Sequence, residues 1–180
     1  YMGWQGFPDE VTDTRARAEM LDETIDILTL LFCGKQFDYD GSHYRLRLTQ
    51  VDEQYYPPPP VQQPRIPLWI VGVWPRKKSM RRVLKGDGWL PNKMNDQGQF
   101  EDILPEDVRE VRAYIDANRT LDTPFDIVVE GKTGGMGPEQ IQAKLSPWVE
   151  AGATWWIDGY WEATPQEVAE RLRQGPPKIG

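Results

Sequence analysis

From Arg65 to Gly86 the chain carries seven cations, Arg65, Arg76, Lys77, Lys78, Arg81, Arg82 and Lys85, and no acid. All but Arg65 follow a continuous apolar run, Leu68 to Val71, that ends at Gly72 and reads as a strand buried on both faces. Where such a strand gives way to a helix, free backbone N–H groups, the helix dipole and cationic side chains converge on one anion, with phosphate the natural candidate. The competing reading is a helix whose outer face is simply solvated by Arg81, Arg82 and Lys85. A glycine at the end of a parallel strand favours the anion site, because backbone there can approach a ligand closely. Gly131-Lys132-Thr133 has the ending of a phosphate loop, but the first glycine of that motif falls on Asp126, so nucleotide-triphosphate chemistry is rejected. The glycines at 131, 134, 135 and 137 form a flexible connection or a lid. His43 and Cys33 are each the only residue of their kind, which leaves no metal cluster, triad or disulfide to build. Asp87, Glu130 and Asp158 lie near strand ends, where a carboxylate either orients a ligand or caps a turn. No residue reads as a catalytic acid or base.

The elements that must position these residues follow from periodicity. Between 13 and 33 apolar residues recur at three-to-four spacing, a helix stopped at Gly34. Phe37 to Leu48 alternates around Asp40-Gly41, a dipeptide that supplies the positive φ angles of a tight hairpin turn. Pro57 to Pro60, with Pro64 and Pro67, makes 55 to 67 a stiff extended connector, its alternative use being an SH3-type ligand. From Ile66 four βα units are counted. Strand 68–71 precedes helix 79–85, and Trp89-Leu90 precedes a helix from Pro105 to about Asn118. Strand 125–130 precedes a helix bent at Pro147, and strand 154–158 precedes a helix opened by the capping box Thr164-Pro165-Gln166-Glu167. Such alternation forces parallel strands with right-handed crossovers. A closed (β/α)8 TIM barrel needs twice as many units and ~250 residues. The expected fold is therefore α/β, half of such a barrel, preceded by a helix and a hairpin. One domain spans 1–180, with 1–65 leading into the four units of 66–180. A doubly wound sheet is the alternative, but no strand is followed by its dinucleotide fingerprint.

Composition narrows the classes. The 180 residues carry a net charge of -7, which repels nucleic acid and anionic membrane and leaves a small molecule as the expected ligand. No window approaches the ~20 apolar residues of a membrane span, so a cytoplasmic protein is expected. Eight Trp in one domain fill a large core or line a pocket for a flat ring or a sugar.

Three stretches resemble the luciferase-like monooxygenase superfamily of flavin- or F420-dependent oxidoreductases. Gly3-Trp4-Gln5-Gly6-Phe7, Arg15, Arg17 and Leu21-Asp22-Glu23, leading through 28–31 into 37–44, is similar to the family's segment after its fourth strand. Ile66 to Gly72, then Trp74-Pro75-Arg76, Arg81-Arg82 and Asp87-Gly88-Trp89-Leu90-Pro91, is similar to its fifth strand, cofactor-phosphate loop and sixth strand. Glu150 to Trp156 and Gly175-Pro176-Pro177 resemble its last strand and closing helix. The resemblance implies the C-terminal half of a TIM barrel that passes hydride between FMN or F420 and an organic substrate. Gly72, Val73, Trp74, Arg76 and Lys77 would then cradle the cofactor phosphate. With the first four strands missing, exposed edges and strand faces imply a homo-oligomer or a complementing barrel half. Other readings are a non-catalytic half-barrel module that binds a phosphorylated ligand or a partner chain, and a Trp-lined sugar-binding domain.

Overall fold

In the computed structural model, which describes Phe7 and residues 9–177, the chain divides into two compact units, 1–67 and 68–180. Residues 3–6 of the first family-like stretch lie outside the described residues.

In the first unit the Asp13 carboxylate accepts from Ala16 N–H and opens helix α1, Thr14–Leu31. Its end is followed by Gly34 in the left-handed region, φ 69°, which side chains other than glycine rarely adopt. Strands β1, Asp38–Asp40, and β2, Arg45–Arg47, pair antiparallel as the alternation predicts. The turn differs from the expectation. It spans 41–44, and Gly41 has no positive φ. Glycine is needed there for space: a Cβ would lie 2.1 Å from a Glu23 carboxylate oxygen. That carboxylate accepts from the N–H groups of Ser42, His43 and Tyr44. Burial alone would raise the Glu23 carboxyl, but these three donors hold it below its ordinary value. His43 Nε2 lies 3.2 Å from Glu19 and serves the same hairpin. The proline connector contains no helix or strand beyond a single 3-10 turn at 53–55.

The second unit alternates β3 (Trp69–Trp74), α2 (Lys77–Val83), β4 (Gly88–Met94), β5 (Phe100–Glu101), α3 (Pro105–Asn118), β6 (Asp126–Gly131), α4 (Pro138–Ala151), β7 (Trp155–Asp158) and α5 (Pro165–Gln174). The parallel strands stand in the order β3-β4-β6-β7, and β5 pairs antiparallel with the end of β4. Strand order equals chain order, without the reversal that marks a doubly wound sheet. The molecule is a mixed α/β protein with a parallel four-stranded sheet.

Register sorts the strand residues onto two faces. Ile70, Trp89, Ile127 and Val129 are buried, together with Met80 and Val83 of α2, Val108, Val111 and Ile115 of α3, and Leu145 of α4. This is the core, between the helices and one side of the sheet. Trp69, Val71 and Val73, Leu90 and Asn92, Val128 and Glu130, and Trp155 and Ile157 occupy the other face. Val71 and Trp155 are each 53% exposed there. Three strand spacings put the edges of a flat sheet ~14 Å apart. Trp69 and Trp155 nevertheless meet edge to face over its middle, ring centroids 5.3 Å apart. Gly88 makes room, since a Cβ there would stand 2.5 Å from Trp69 Cδ1, and Trp69 Nε1 donates to Asp126 at 3.2 Å.

Two apparent stops in the sequence are passed through. β3 continues beyond Gly72 to Trp74, and β4 runs seven residues across Pro91. Pro91 sits opposite Gly72 in the register. Helix α2 starts at Lys77 rather than Ser79. Helices α3 and α5 begin at their predicted first-turn prolines, and α4 runs through Pro147 as one helix.

Candidate functional site at the carboxyl ends of the parallel strands

All four parallel strands present their carboxyl ends on one side of the unit. Near that end, on the face away from α2–α5, Val73 stands beside Asn92 and Val71 beside Leu90, while Glu130 stands beside Ile157 and Val128 beside Trp155; β4 and β6 pair only at Gly88–Asp126 and Trp89–Ile127. A cavity of about 540 Å³ opens at this end of the sheet, and its lining also takes in Pro91 and Val129 from the helix side and Trp148 of α4. Leu90, Val128 and Ile157 give it apolar walls, Asn92 and Glu130 polar ones, and the segment 101–104 behind β5 forms a rim. Lys93 anchors this rim from the helix side. Its Nζ lies 2.9 Å from Asp107 and 4.0 Å from Glu101, and the Asp107 partnership holds the Lys93 ammonium above its ordinary pKa. Asp107 also accepts from Leu104 N–H at 2.8 Å, which ties the rim to the first turn of α3.

The cationic turn lies at the same end, at the top of β3. Of its five predicted residues, Gly72 and Trp74 face the helices. A Cβ on Gly72 would meet Val83 Cγ2 at 2.4 Å and Trp89 Cδ1 at 2.9 Å, and the Gly72 carbonyl accepts from Trp89 Nε1 at 2.9 Å. The space left by its missing side chain is thus filled by protein, and the reading of Gly72 as a strand-ending point of ligand approach is corrected. The Trp74 indole packs edge-on to Tyr114 of α3 and donates to Glu110 at 3.3 Å. Val73 keeps its side chain on the open face, while its N–H donates to Ser79 Oγ at 2.9 Å. Past the cis Trp74–Pro75 bond, Arg76 precedes α2 and donates to the Asn95 carbonyl at 3.0 Å, fastening the turn to the β4–β5 loop. Lys77 is exposed. Helix α2 has seven residues, too few for its dipole to add much to the charge of the side chains.

The three strand-end acids take different roles. Asp87 is buried and accepts from Leu68 N–H at 3.0 Å and Thr123 Oγ1 at 2.7 Å, beside the Arg119 guanidinium at 3.2 Å. Asp158 accepts from Thr133 N–H and Oγ1, both at 2.7 Å, and forms an ion pair with Arg171 of α5. Burial would raise the Asp158 carboxyl, but Thr133 and Arg171 outweigh it and hold it below its ordinary value. Thr133 and Gly134, whose N–H donates to Tyr160 Oη at 2.8 Å, tether the start of the glycine-rich loop. Glu130 alone of the three faces the cavity. Its Oε1 accepts from Trp161 Nε1 and occupies the space beside Gly159.

The sequence did not single out Asn92, the 101–104 rim or Trp161. Asn92 follows a proline that reads as a break, the two-residue β5 has no periodicity, and the Trp161–Glu130 pairing joins two strand ends 31 positions apart. Among the described residues no His, Cys, Asp or Glu cluster could hold a metal, and no helix is long and apolar enough to cross a membrane.

Comparison with known proteins gives one family match. The model of the luciferase-like monooxygenases aligns with residues 3–149, which include the cationic turn, the 101–104 rim and β6. No curated protein matches the chain.

Proposed function

The chain belongs to the luciferase-like monooxygenase family, and we propose that it forms the coenzyme-binding half of a barrel that passes hydride between a reduced flavin or F420 and an organic substrate. The observation that carries this reading is the pairing, at one end of one sheet, of a cationic turn with an apolar-walled cavity. The residues present suit the group. Arg76 and Lys77 offer charge-assisted donors to a phosphate, and Val73, Leu90 and Val128 offer an apolar surface to a flat ring. Gly72 and Trp74 contribute behind them, by packing α2 and α3 against the strand that ends in the turn. When bound, the reduced ring supplies the hydride; the chain supplies position and electrostatics. Asn92 and Glu130 then line the space in which ring and substrate meet.

The sheet is taken as half of an eight-stranded barrel, with its open face turned inward. Supporting this are the chain-order strands, the helices confined to one face, and the indole pair bridging the open face. The remaining four strands would come from a second copy or a complementing barrel half. The edges of β3 and β7, unpaired among the described residues, also favour a second reading, a non-catalytic module that binds a phosphorylated ligand or a partner chain.

Titrating FMN and F420 into the chain, and into a version completed to eight strands, separates these readings. The coenzyme reading expects one compound to bind at least one version, with roughly tenfold weaker affinity after Arg76→Ala with Lys77→Ala. No uptake of either compound by either version overturns it.

A further inference from the structure

We propose that the mouth cavity selects an apolar substrate bearing a cationic, ammonium-type group, with Glu130 as its specificity-determining residue. The inference deepens the reading of this cavity as the substrate side of a redox site, and rests on that reading for the reaction but not for the binding. The cavity walls include the carboxylates of Glu101, Asp102 and Glu130 and no Lys or Arg. Glu101 is partly compensated, lying 4.0 Å from Lys93 and accepting from Asn95 Nδ2 at 3.1 Å. Asp102 and Glu130 pair with no cation among the described residues.

Glu130 is also held in place. Trp161 donates to Oε1, the only hydrogen bond to this carboxylate among the described residues, and Gly159 leaves the room in which it sits. Oε2 remains to accept from a ligand. Trp161 is 84% exposed, so a large indole stands in water beside a carboxylate. A carboxylate fixed by a neighbouring indole N–H, with its second oxygen free, suits an ammonium group by charge and by charge-assisted hydrogen bonding. Leu90, Val128 and Ile157 below it suit an alkyl or aryl body. An anionic head of the same length would face two uncompensated carboxylates and would be rejected. The cationic turn that suits a phosphate lies at the top of β3, an edge strand, whereas Glu130 lies on β6, so the two polarities are separated across one mouth.

The test uses three probes of equal chain length at pH 7, n-octylammonium, octan-1-ol and octanoate, titrated into the purified chain by calorimetry. Octylammonium should bind most tightly and octanoate most weakly, about tenfold or more apart. Glu130→Gln should remove most of that gap. Glu150→Gln, the same charge change on α4 outside the cavity, should leave it intact and so exclude general attraction to an acidic protein. Equal binding of the three probes, a preference for octanoate, no binding at millimolar concentration, or a gap that Glu130→Gln leaves unchanged would each overturn the proposal. The coenzyme titration is read separately: uptake of FMN or F420 without the ammonium preference sinks only this inference, and the preference without uptake of either coenzyme sinks only the redox reading.

Discussion

Gly72 illustrates how little of a site can be read from residue type alone. A glycine after a buried strand suggests a place where backbone meets ligand, yet here it is the point where Val83 and Trp89 close over the strand. Gly72→Ala should therefore cost stability, by about 1–3 kcal/mol of overpacking, seen as a lower urea midpoint. The same ambiguity covered Asp87, Glu130 and Asp158. All three stand near strand ends in the sequence; Asp87 precedes the amino end of β4, away from the mouth, and the register, which sets the face each side chain takes, separates the packing Asp158 from the cavity-lining Glu130. Asp158 makes a pH prediction. Its carboxyl titrates lower folded than unfolded, so its contribution is complete above the unfolded value of about 3.9. That contribution is lost as pH falls through the lower folded value. Circular dichroism across an acid titration should show wild type and Asp158→Asn converging below about pH 4, with the variant less stable above it.

At the scale of elements, helices were the legible part. Pro105, Pro138 and Pro165 each occupy the first turn of a helix, and the Thr164–Glu167 box opens α5. These signals act locally, so sequence carries them. Strands β3 and β4 exceeded their sequence patterns because a glycine and a proline that normally interrupt strands lie opposite each other inside the sheet. Tertiary packing decides there, and a single sequence does not display it. The hairpin of the first unit makes the same point, since its turn is organised by Glu23 of α1 rather than by its own dipeptide. Glu23→Ala should speed amide exchange at Ser42, His43 and Tyr44 roughly tenfold, the equivalent of about one charge-assisted hydrogen bond. Exchange in the middle of α1 should not change.

For the whole molecule, alternation of strand and helix was enough to foresee parallel strands, but not whether they run in chain order or double back as in a doubly wound sheet. It could not show that one face would carry helices and the other none. That asymmetry leaves Val71, Trp155 and Ile157 exposed and, among the described residues, both sheet edges unpaired. Surfaces of this kind favour association. Completion by a second copy or a barrel half implies that light scattering of the purified chain, or of the chain mixed with such a half, gives a mass above the monomer. Val71→Lys, a charge on the open face of an edge strand, should return it to the monomer without altering helical content.

The indole pair across the open face has a practical consequence. Trp69 and Trp155 belong to strands at opposite ends of the sheet, so their chromophores stay coupled only while the intervening strands remain in register. The near-ultraviolet ellipticity of the protein thus contains a built-in gauge of sheet integrity. It can be followed without a label while coenzymes, amines or partner strands are added.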